Sequence, residues 1–330
     1  MKNSQKSKVL KDALTDVPGI KVGHSQDLKA GTGCTVIICE KGATTGIDVR
    51  GGAPSTRETD LLNPVNLVDK VHAIYLGGGS AFGLDGASGV MKYLEERGIG
   101  FDVGLTKVPI VPGAVLFDLD VGDYRIRPNA AMGYDACLNA SDAEARQGNV
   151  GAGTGATIGK IFGGIRCMKS GIGTASFKSK ELIVGAIVAV NCFGDVVDPK
   201  NGEIIAGTLT KDKKGFINTM SVLKSMPLPQ GSGSNFPTNT TIGVVATNAK
   251  LTKARATKIA MMAQDGYART TIPAHTIFDG DTIFCIATGE VEAGVNVIGA
   301  IAAEVMARAI VKAVKNTEPI YGLLSHKDLF

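Results

Sequence analysis

The chain has 330 residues, a length that suits one large domain or two ordinary ones. Hydrophobic residues make up 44% of it and charged residues 20%, so a buried core is easily built. The net charge of +4 is small and dispersed, Trp is absent and aromatic residues reach only 5%, which argues against nucleic acid as a partner.

Cysteine usage and the N-terminal segment indicate a compartment. No two cysteines form a C-x-x-C pair and most lie in apolar strings, so we expect buried free thiols in a reducing environment. The six are Cys34, Cys39, Cys137, Cys167, Cys192 and Cys285. Residues 1–15 lack the apolar region of a secretory signal, and no apolar stretch is long enough for a membrane span. We therefore expect a cytoplasmic protein without a membrane partner.

In chain order, the first half alternates apolar strands with glycine-rich loops. Runs rich in β-branched residues predict strands over 33–39, 46–49, 71–76 and 108–119. Arg50–Arg57 is a loop by its composition. A helix follows the glycine-rich segment 77–83 and ends near Arg97, where Gly98 closes it.

The second half continues the alternation after one long loop. The polar, glycine- and proline-rich stretch 200–239 predicts that loop, which is long enough to need a reason in a compact domain. Around it the sequence predicts strands over 181–190, 240–247 and 281–288, and helices over 251–267 and 291–314. Alternating strands and helices indicate the α/β class.

Several glycine motifs and the histidines favour structural roles over ligand binding. Gly151–Ala156 formally matches a dinucleotide fingerprint, but no buried strand precedes it. The segment 77–83 follows a strand, yet Phe82 occupies the third glycine position. No two of the four histidines stand at i,i+3 or i,i+4, which makes a metal site unexpected. A His-based triad stays open, since spacing alone selects no partner for any histidine.

The junction at Thr240 is the most informative point for chemistry. A flexible loop ends there and a core strand begins at a hydroxyl residue. If the preceding bond is cut, the new α-amine, with a pKa of about 7.7–8.0, can take the hydroxyl proton, so that one residue supplies nucleophile and base. Taken alone, a Thr that merely opens a strand is the simpler interpretation.

Long stretches of the chain resemble one known family. They are Asp16–His24, Val49–Pro54, Thr56–Leu62, Gly78–Asp85, Val108–Pro112, Gly148–Ala156, Gly171–Ser176 and Ile242–Thr247. This text is similar to the DmpA family of self-cleaving aminopeptidases, peptidase family S58, which includes β-aminopeptidases and nylon-oligomer hydrolases. The resemblance runs from about Asp16 to the last helix. It implies a four-layer αββα sandwich of the DmpA and ornithine acetyltransferase type.

The same resemblance implies self-cleavage of one domain. Mapped onto this chain, the cut falls between Asn239 and Thr240 and gives an α chain, 1–239, and a β chain, 240–330. Asp279 and Asp281 match two aspartates near the nucleophile in the nylon-hydrolase branch. Their implied role is to orient the Thr240 hydroxyl and to support the ammonium form of its amine. Without the resemblance, an Asp-Gly turn that feeds a strand would be preferred here.

The resemblance also implies donors for an oxyanion hole, which must stand where negative charge develops. Asn191 matches the amide donor of the family and Tyr134 its tyrosine. Lys160 matches a lysine of the nylon-hydrolase branch, although Lys169 is close enough in sequence to compete. Each of the three also has an ordinary interpretation. Asn191 can be a turn residue at a strand end, Tyr134 a half-buried helix residue and Lys160 a solvated charge.

Together these features predict a hydrolase of amide bonds that needs no cofactor and no metal. Expected substrates have a free amino terminus: short peptides, amino-acid amides or esters, or oligomers of β- or ω-amino acids. The resemblance suggests a homo-oligomer of αβ units. Two rivals stay open, an acyltransferase of the ornithine acetyltransferase type and a non-catalytic protein that binds a small molecule on the same fold.

Overall fold

The computed structural model describes residues 10–226 and 239–330, which contain sixteen strands and five α-helices. The strands are β1 (Lys21–Asp27), β2 (Thr32–Val49), β3 (Thr56–Arg57), β4 (Lys70–Gly77), β5 (Phe101–Asp102), β6 (Lys107–Val108), β7 (Gly113–Val115), β8 (Thr157–Ile158), β9 (Met168–Lys169), β10 (Ile172–Ser179), β11 (Leu182–Ala189), β12 (Asp195–Val197), β13 (Ile204–Ala206), β14 (Ile242–Ala249), β15 (Thr271–Ile272) and β16 (Thr282–Val291). The helices are α1 (Gly86–Glu95), α2 (Ala130–Leu138), α3 (Thr219–Ser225), α4 (Lys253–Thr270) and α5 (Val295–Lys315).

One nine-stranded mixed sheet forms the framework. Its order is β10-β11-β14-β16-β2-β4-β7-β3, with β1 also paired to β2. The 18-residue strand β2 joins two halves of this sheet. Residues 34–38 and 43–44 pair with β4, and residues 44–49 pair with β16. Near the middle, Gly42 has a positive φ of 73° and the register with β4 shifts, so the strand can pass from one half to the other.

Three apolar cores show that the two halves face each other. One core joins side chains of both halves, for example Ile37 and Leu76 with Val244 and Phe284. A second core packs α4 and α5 on the outer face of β10, β11, β14 and β16. A third packs α1 and α2 on the outer face of β2 and β4. Alternate residues of each strand serve inner and outer cores, which gives helix, sheet, sheet and helix layers and confirms the predicted αββα sandwich.

Glycines let the outer helices approach the sheet closely. A Cβ on Gly46 in β2 would lie 2.1 Å from the backbone nitrogen of Thr257 in α4. A Cβ on Gly173 in β10 would lie 2.1 Å from the backbone oxygen of Ala309 in α5. At both positions the bare backbone is what sets the distance between layers.

Most predicted elements are present, with shifted ends. The strands predicted over 33–39 and 46–49 are parts of the single strand β2. The strand predicted over 108–119 is wrong in extent, because only β6 and β7 form there and Pro109 and Pro112 remove ladder donors. The loop predicted over 200–239 contains β13 and α3, while its residues 227–238 lie outside the described part.

Two sequence-based expectations concern the whole chain. All six cysteines are buried and free, as predicted. Over residues 10–226 and 239–330, no helix combines the length and the apolar character that a membrane span requires.

Candidate active site

The register of two parallel strands brings the predicted nucleophile beside both aspartates. Ile242 of β14 pairs with Thr282 of β16, and just before the strands Asn239 pairs with Asp279 in an isolated parallel bridge. In this register Thr240 lies beside Gly280, the residue between Asp279 and Asp281. Its residue surface is only 4% exposed.

The peptide bond between Asn239 and Thr240 is held by backbone hydrogen bonds on both sides. The Thr240 N–H donates to the carbonyl oxygen of Asn191 at 2.8 Å. The carbonyl oxygen of Asn239 accepts the Gly280 N–H at 2.9 Å and also the hydroxyl of Thr240. The hydroxyl thus lies against the carbonyl group of the bond that is predicted to be cut.

Gly280 makes this close arrangement possible. A Cβ there would lie 2.7 Å from the Oγ1 of Thr240 and 2.7 Å from the carbonyl oxygen of Ala53. The loop that contains Ala53 covers the turn. The Ala53 N–H donates to the Asp279 carbonyl oxygen at 2.9 Å, and the Arg50 N–H donates to the Asp281 carbonyl oxygen at 2.9 Å. The segment Val49–Pro54 is therefore a wall of the site.

Asp279 is a buried carboxyl group held by three donor groups of two residues. Its Oδ1 accepts the Phe193 N–H at 3.2 Å, and its Oδ2 accepts the Thr276 N–H at 3.0 Å and the Thr276 hydroxyl. Burial, followed by the negative charge of Asp281, raises the pKa of Asp279 to about 6. This carboxyl group can therefore change its charge near neutral pH.

Asp281 links Thr241 to a histidine. Its Oδ1 accepts the Thr241 N–H at 2.9 Å. Its Oδ2 accepts the backbone N–H of His275 at 3.0 Å and lies 2.9 Å from the Nδ1 of the same residue. Within the described residues, the hydrogen bonds of both aspartates go to these groups and not to the Thr240 hydroxyl.

Asn191 and Lys160 form a second, fully buried polar group beside Thr240. The Oδ1 of Asn191 accepts the Nζ of Lys160 at 2.7 Å and the Thr157 N–H at 3.0 Å. The Nδ2 of Asn191 donates to the carbonyl oxygen of Phe117 at 2.8 Å. Since the backbone oxygen of Asn191 accepts the Thr240 N–H, this group is hydrogen-bonded directly to Thr240.

Lys169 lies in the same region but has different partners. Its Nζ donates to the carbonyl oxygens of Gly153 at 3.1 Å, Ala156 at 3.0 Å and Ser170. Burial lowers the pKa of Lys169 to about 7. Burial also raises the pKa of the nearby Asp118 to about 6. Of the two lysines, Lys160 is the one hydrogen-bonded to a predicted site residue.

Tyr134 is not brought to this cluster. It lies on α2, where its hydroxyl donates to Glu96 at 2.7 Å and its ring packs edge-on against Tyr93. The segment around Tyr134 is helical and packs against α1, so the contacts of Tyr134 are with α1 and the residues that follow it and not with Thr240. The side-chain amide of Asn191 donates instead to the backbone carbonyl oxygen of Phe117.

Three further residues of the site were not singled out from the sequence. Thr276 holds Asp279, His275 holds Asp281, and Gly280 faces the Asn239 carbonyl. All three lie within the segment 275–281, which also carries both aspartates. The signal in the sequence was a histidine and a hydroxyl residue in the same short segment as the aspartates. In the part of the chain that is described, no three His, Cys, Asp or Glu side chains group as metal ligands.

Comparisons with known proteins agree with this architecture. The family model of peptidase family S58 matches residues 12–327. An uncharacterized aminopeptidase of Mycobacterium tuberculosis is 43% identical over 97% of this chain and 98% of its own. The 6-aminohexanoate-oligomer endohydrolase of a Kocuria species is 30% identical over 91% of this chain and 85% of its own.

Solved structures share the fold at low sequence identity. The L-aminopeptidase D-Ala-esterase/amidase of Ochrobactrum anthropi superposes with a TM-score of 0.73 at 16% identity, over 96% of this chain and 92% of its own. A β-aminopeptidase of a Burkholderia species gives 0.69 at 21% identity, over 96% and 90%.

The four layers are thus those of the aminopeptidases whose fold is a variant of the N-terminal-nucleophile hydrolase fold. Within that class the assignment is specific, because the family model spans almost the whole chain. The chain belongs to peptidase family S58 and is an enzyme that hydrolyses peptide or amide bonds.

Proposed function

We propose that this hydrolase cuts its own chain between Asn239 and Thr240 and then uses Thr240 as its nucleophile. The products are an α chain, 1–239, and a β chain, 240–330, of one folded domain. The observation that carries the proposal is the contact of the Thr240 hydroxyl with the Asn239 carbonyl oxygen, which also accepts the Gly280 N–H at 2.9 Å. Nucleophile, target carbonyl and a donor for the developing charge are therefore adjacent.

Self-cleavage proceeds by an N-to-O acyl shift. The Oγ1 of Thr240 forms a bond to the carbonyl carbon of Asn239, and the negative charge that develops on the carbonyl oxygen is stabilised by the Gly280 N–H. The C–N bond breaks, the hydroxyl proton passes to the departing nitrogen, and an ester remains. Water then hydrolyses the ester, which leaves a carboxylate on Asn239 and a free amine on Thr240.

The free amine supplies the base for turnover. An α-amine with a pKa of about 7.7–8.0 is substantially neutral at pH 8 and takes the hydroxyl proton directly or through one water. Thr240 attacks the substrate carbonyl, the amine product leaves with that proton, and water hydrolyses the acyl ester. Asp281 fixes the backbone of Thr241 through the Thr241 N–H. The proposed role of Asp279, whose backbone pairs with Asn239, is to support the ammonium form of the new amine.

Asn191 and Lys160 are the proposed donors for the substrate oxyanion. The Nδ2 of Asn191 carries two hydrogens, and the Phe117 carbonyl accepts one of them. The Lys160 ammonium has three hydrogens and gives one to Asn191. Both side chains are fully buried, so a preorganised donor there acts in a medium of low dielectric constant.

The proposed substrates are short peptides, amino-acid amides or esters, and oligomers of β- or ω-amino acids. Relatives named aminopeptidase and 6-aminohexanoate-oligomer endohydrolase support this range. A panel of p-nitroanilides of L-, D- and β-amino acids, with a linear amide oligomer, tests it. Thr240→Ala should abolish turnover and Thr240→Ser, which keeps the hydroxyl, should retain part of it. Turnover by Thr240→Ala would contradict the proposal.

Transfer of the acyl group to an amine is the remaining rival, whereas membership of a peptidase family argues against a non-catalytic binding protein. Adding an amine acceptor to the same assay separates the two reactions. We expect free acid as the main product, because an accessible ester intermediate reacts with water. Amide as the main product would identify an acyltransferase.

We also propose that αβ units assemble into a homo-oligomer in the cytoplasm. The β5–β6 hairpin exposes apolar side chains, including Val103 at 50% and Leu105 at 98%. Six buried free thiols suit a reducing compartment. Light scattering coupled to gel filtration should give a mass that is a multiple of one αβ unit, and a single-unit mass would contradict the assembly.

A further inference from the structure

His275, a histidine without an assigned role, is hydrogen-bonded to Asp281 of the site. The Nδ1 of His275 lies 2.9 Å from the Oδ2 of Asp281, and the His275 backbone N–H donates to the same oxygen at 3.0 Å. Because a carboxylate only accepts, the Nδ1 carries the hydrogen of this bond. Within the described residues the other ring nitrogen, Nε2, has no hydrogen-bond partner. The polar contact of this imidazole is therefore directed at Asp281.

The backbone conformation of His275 shows that this placement is specific. His275 has a φ of 57°, in the left-handed region that few side chains favour. Its ring stacks on Tyr267 at a centroid distance of 5.9 Å. The next residue, Thr276, holds Asp279 through its N–H and hydroxyl. One two-residue turn thus fixes both aspartates, each by a backbone and a side-chain donor.

Asp281 passes this constraint on to the nucleophile. Its Oδ1 accepts the Thr241 N–H at 2.9 Å, while its Oδ2 is held by His275. The bonds run from the imidazole through the carboxylate to the residue that directly follows Thr240. A rotation of the Asp281 carboxylate would release Thr241 and shift the hydroxyl away from its target, and small misplacements of a nucleophile lower rates strongly.

We propose that His275 is a positioning residue of the catalytic centre, which locks Asp281 through its Nδ1–H and thereby aligns Thr240. This rests on the proposed role of Thr240 as nucleophile. His275 does not touch the substrate and transfers no proton. Its loss reduces the chemical step rather than substrate binding, so that kcat falls and KM does not.

A pair of variants separates the hydrogen bond from the backbone requirement. Asparagine and glycine both accept a positive φ, but only asparagine places an N–H donor where the Nδ1 of the histidine stood. We expect His275→Gly to lower kcat of the processed enzyme about ten- to a hundred-fold, as expected for a lost hydrogen bond to a charged group. We expect His275→Asn to stay within about fivefold of wild type, with KM changed less than about twofold in both.

The readouts are kcat and KM on the p-nitroanilide that the wild-type enzyme cleaves fastest, per mole of processed chain, with thermal unfolding of each variant. If His275→Gly does not fold, His275→Asp replaces it, because aspartate also accepts this φ but repels Asp281. A slow variant without the donor and a near-normal His275→Asn support the proposal.

Two results would overturn the role of His275. One is a donor-free variant with kcat within twofold of wild type. The other is a His275→Asn enzyme as slow as the donor-free variant at equal thermal stability. Turnover by Thr240→Ala would instead reject Thr240 as nucleophile, and the two failures are therefore distinguishable.

Discussion

Two buried lysines near the proposed nucleophile use their ammonium hydrogens differently. Lys160 donates to the side-chain oxygen of Asn191, and the same oxygen also accepts a hydrogen bond from the Thr157 N–H. Lys169 donates to three backbone carbonyls, which belong to Gly153, Ala156 and Ser170. Lys160 is therefore tied to the proposed oxyanion donor Asn191, and Lys169 holds the glycine-rich segment in place.

The pair Lys160→Met and Lys169→Met should separate activity from stability. Lys169→Met leaves three buried carbonyls without this donor and should lower the free energy of unfolding by about 2–5 kcal/mol. Lys160→Met should cost less stability but lower kcat by about a hundredfold if the ammonium stabilises the oxyanion. Denaturant unfolding and kcat of both variants check this. The reverse ranking of the two lysines would contradict it.

The Asp279 carboxyl group should make stability depend on pH. Its pKa in the folded chain is about 6, above the ordinary value of 3.8. A raised pKa means that the folded state binds the proton more tightly, so the contribution is present below pH 4 and is lost as the pH rises through 6. With each pKa unit worth 1.36 kcal/mol, the difference between 3.8 and about 6 makes the full loss about 3 kcal/mol.

Urea unfolding of Thr240→Ala, with and without Asp279→Asn, measures this effect on one uncut chain. Between pH 4 and pH 7 the Asp279→Asn variant should gain stability relative to its parent by most of that amount, because asparagine does not ionise. An unchanged difference between the two pH values would contradict the raised pKa.

Gly280 should tolerate no side chain. Gly280→Ala would place a Cβ 2.7 Å from the Thr240 hydroxyl oxygen and 2.7 Å from the Ala53 carbonyl oxygen. We expect the rate of self-cleavage to fall by at least about a hundredfold, because displacement of the hydroxyl misaligns the attack. Time-resolved intact mass of freshly purified protein checks this, with Gly215→Ala as control, since a Cβ there has no neighbour within 4 Å. Normal cleavage of Gly280→Ala would contradict this.

At this scale the sequence predicted residues better than it predicted contacts. Thr240, Asp279, Asp281 and Asn191 lie together, and the resemblance had selected them. The contacts of His275 with Asp281 and of Gly280 with Asn239 depend on a turn with positive φ and on strand register, which residue types do not specify. Tyr134 was matched by local text, but α2 directs it to Glu96.

Among the elements, the long strand β2 determines how the sheet is built. The sequence predicted two short strands there, because Glu40, Lys41 and Gly42 interrupt the apolar pattern. In the structure the exposed Glu40 and Lys41 lie within one continuous strand. A polar interruption indicates exposure but does not tell whether the chain turns or continues. The continuity of β2 could therefore be seen only in the folded structure.

The approach of α5 to β10 gives a prediction at the same scale. Gly173→Ala would place a Cβ 2.1 Å from the Ala309 carbonyl oxygen, whereas Gly215→Ala meets no atom within 4 Å. The helix would have to move away from the sheet, at a cost of about 1–3 kcal/mol in the free energy of unfolding. Thermal or denaturant unfolding of both variants in the Thr240→Ala chain should show a loss only for Gly173→Ala. Equal stability of the two would contradict the tight interface.

For the molecule as a whole, the alternation of elements predicted the α/β class, whereas the four layers came from the family resemblance. Periodicity identifies faces of strands, for example Val244 inward and Val245 outward on β14, but not which faces meet. The central core joins β2 and β4 to β14 and β16, which are far apart in sequence. Such long-range pairing is set by the whole fold and not by any local pattern.

The central claim is that one backbone bond is cut and that this cut creates the nucleophile. Intact mass of the purified wild-type chain and of Thr240→Ala, with N-terminal sequencing of the products, tests it most directly. Wild type should give two fragments, the smaller beginning at Thr240, and Thr240→Ala should remain one chain on incubation. An uncut wild-type chain that is fully active, or a Thr240→Ala chain cut at the same bond, would contradict the account.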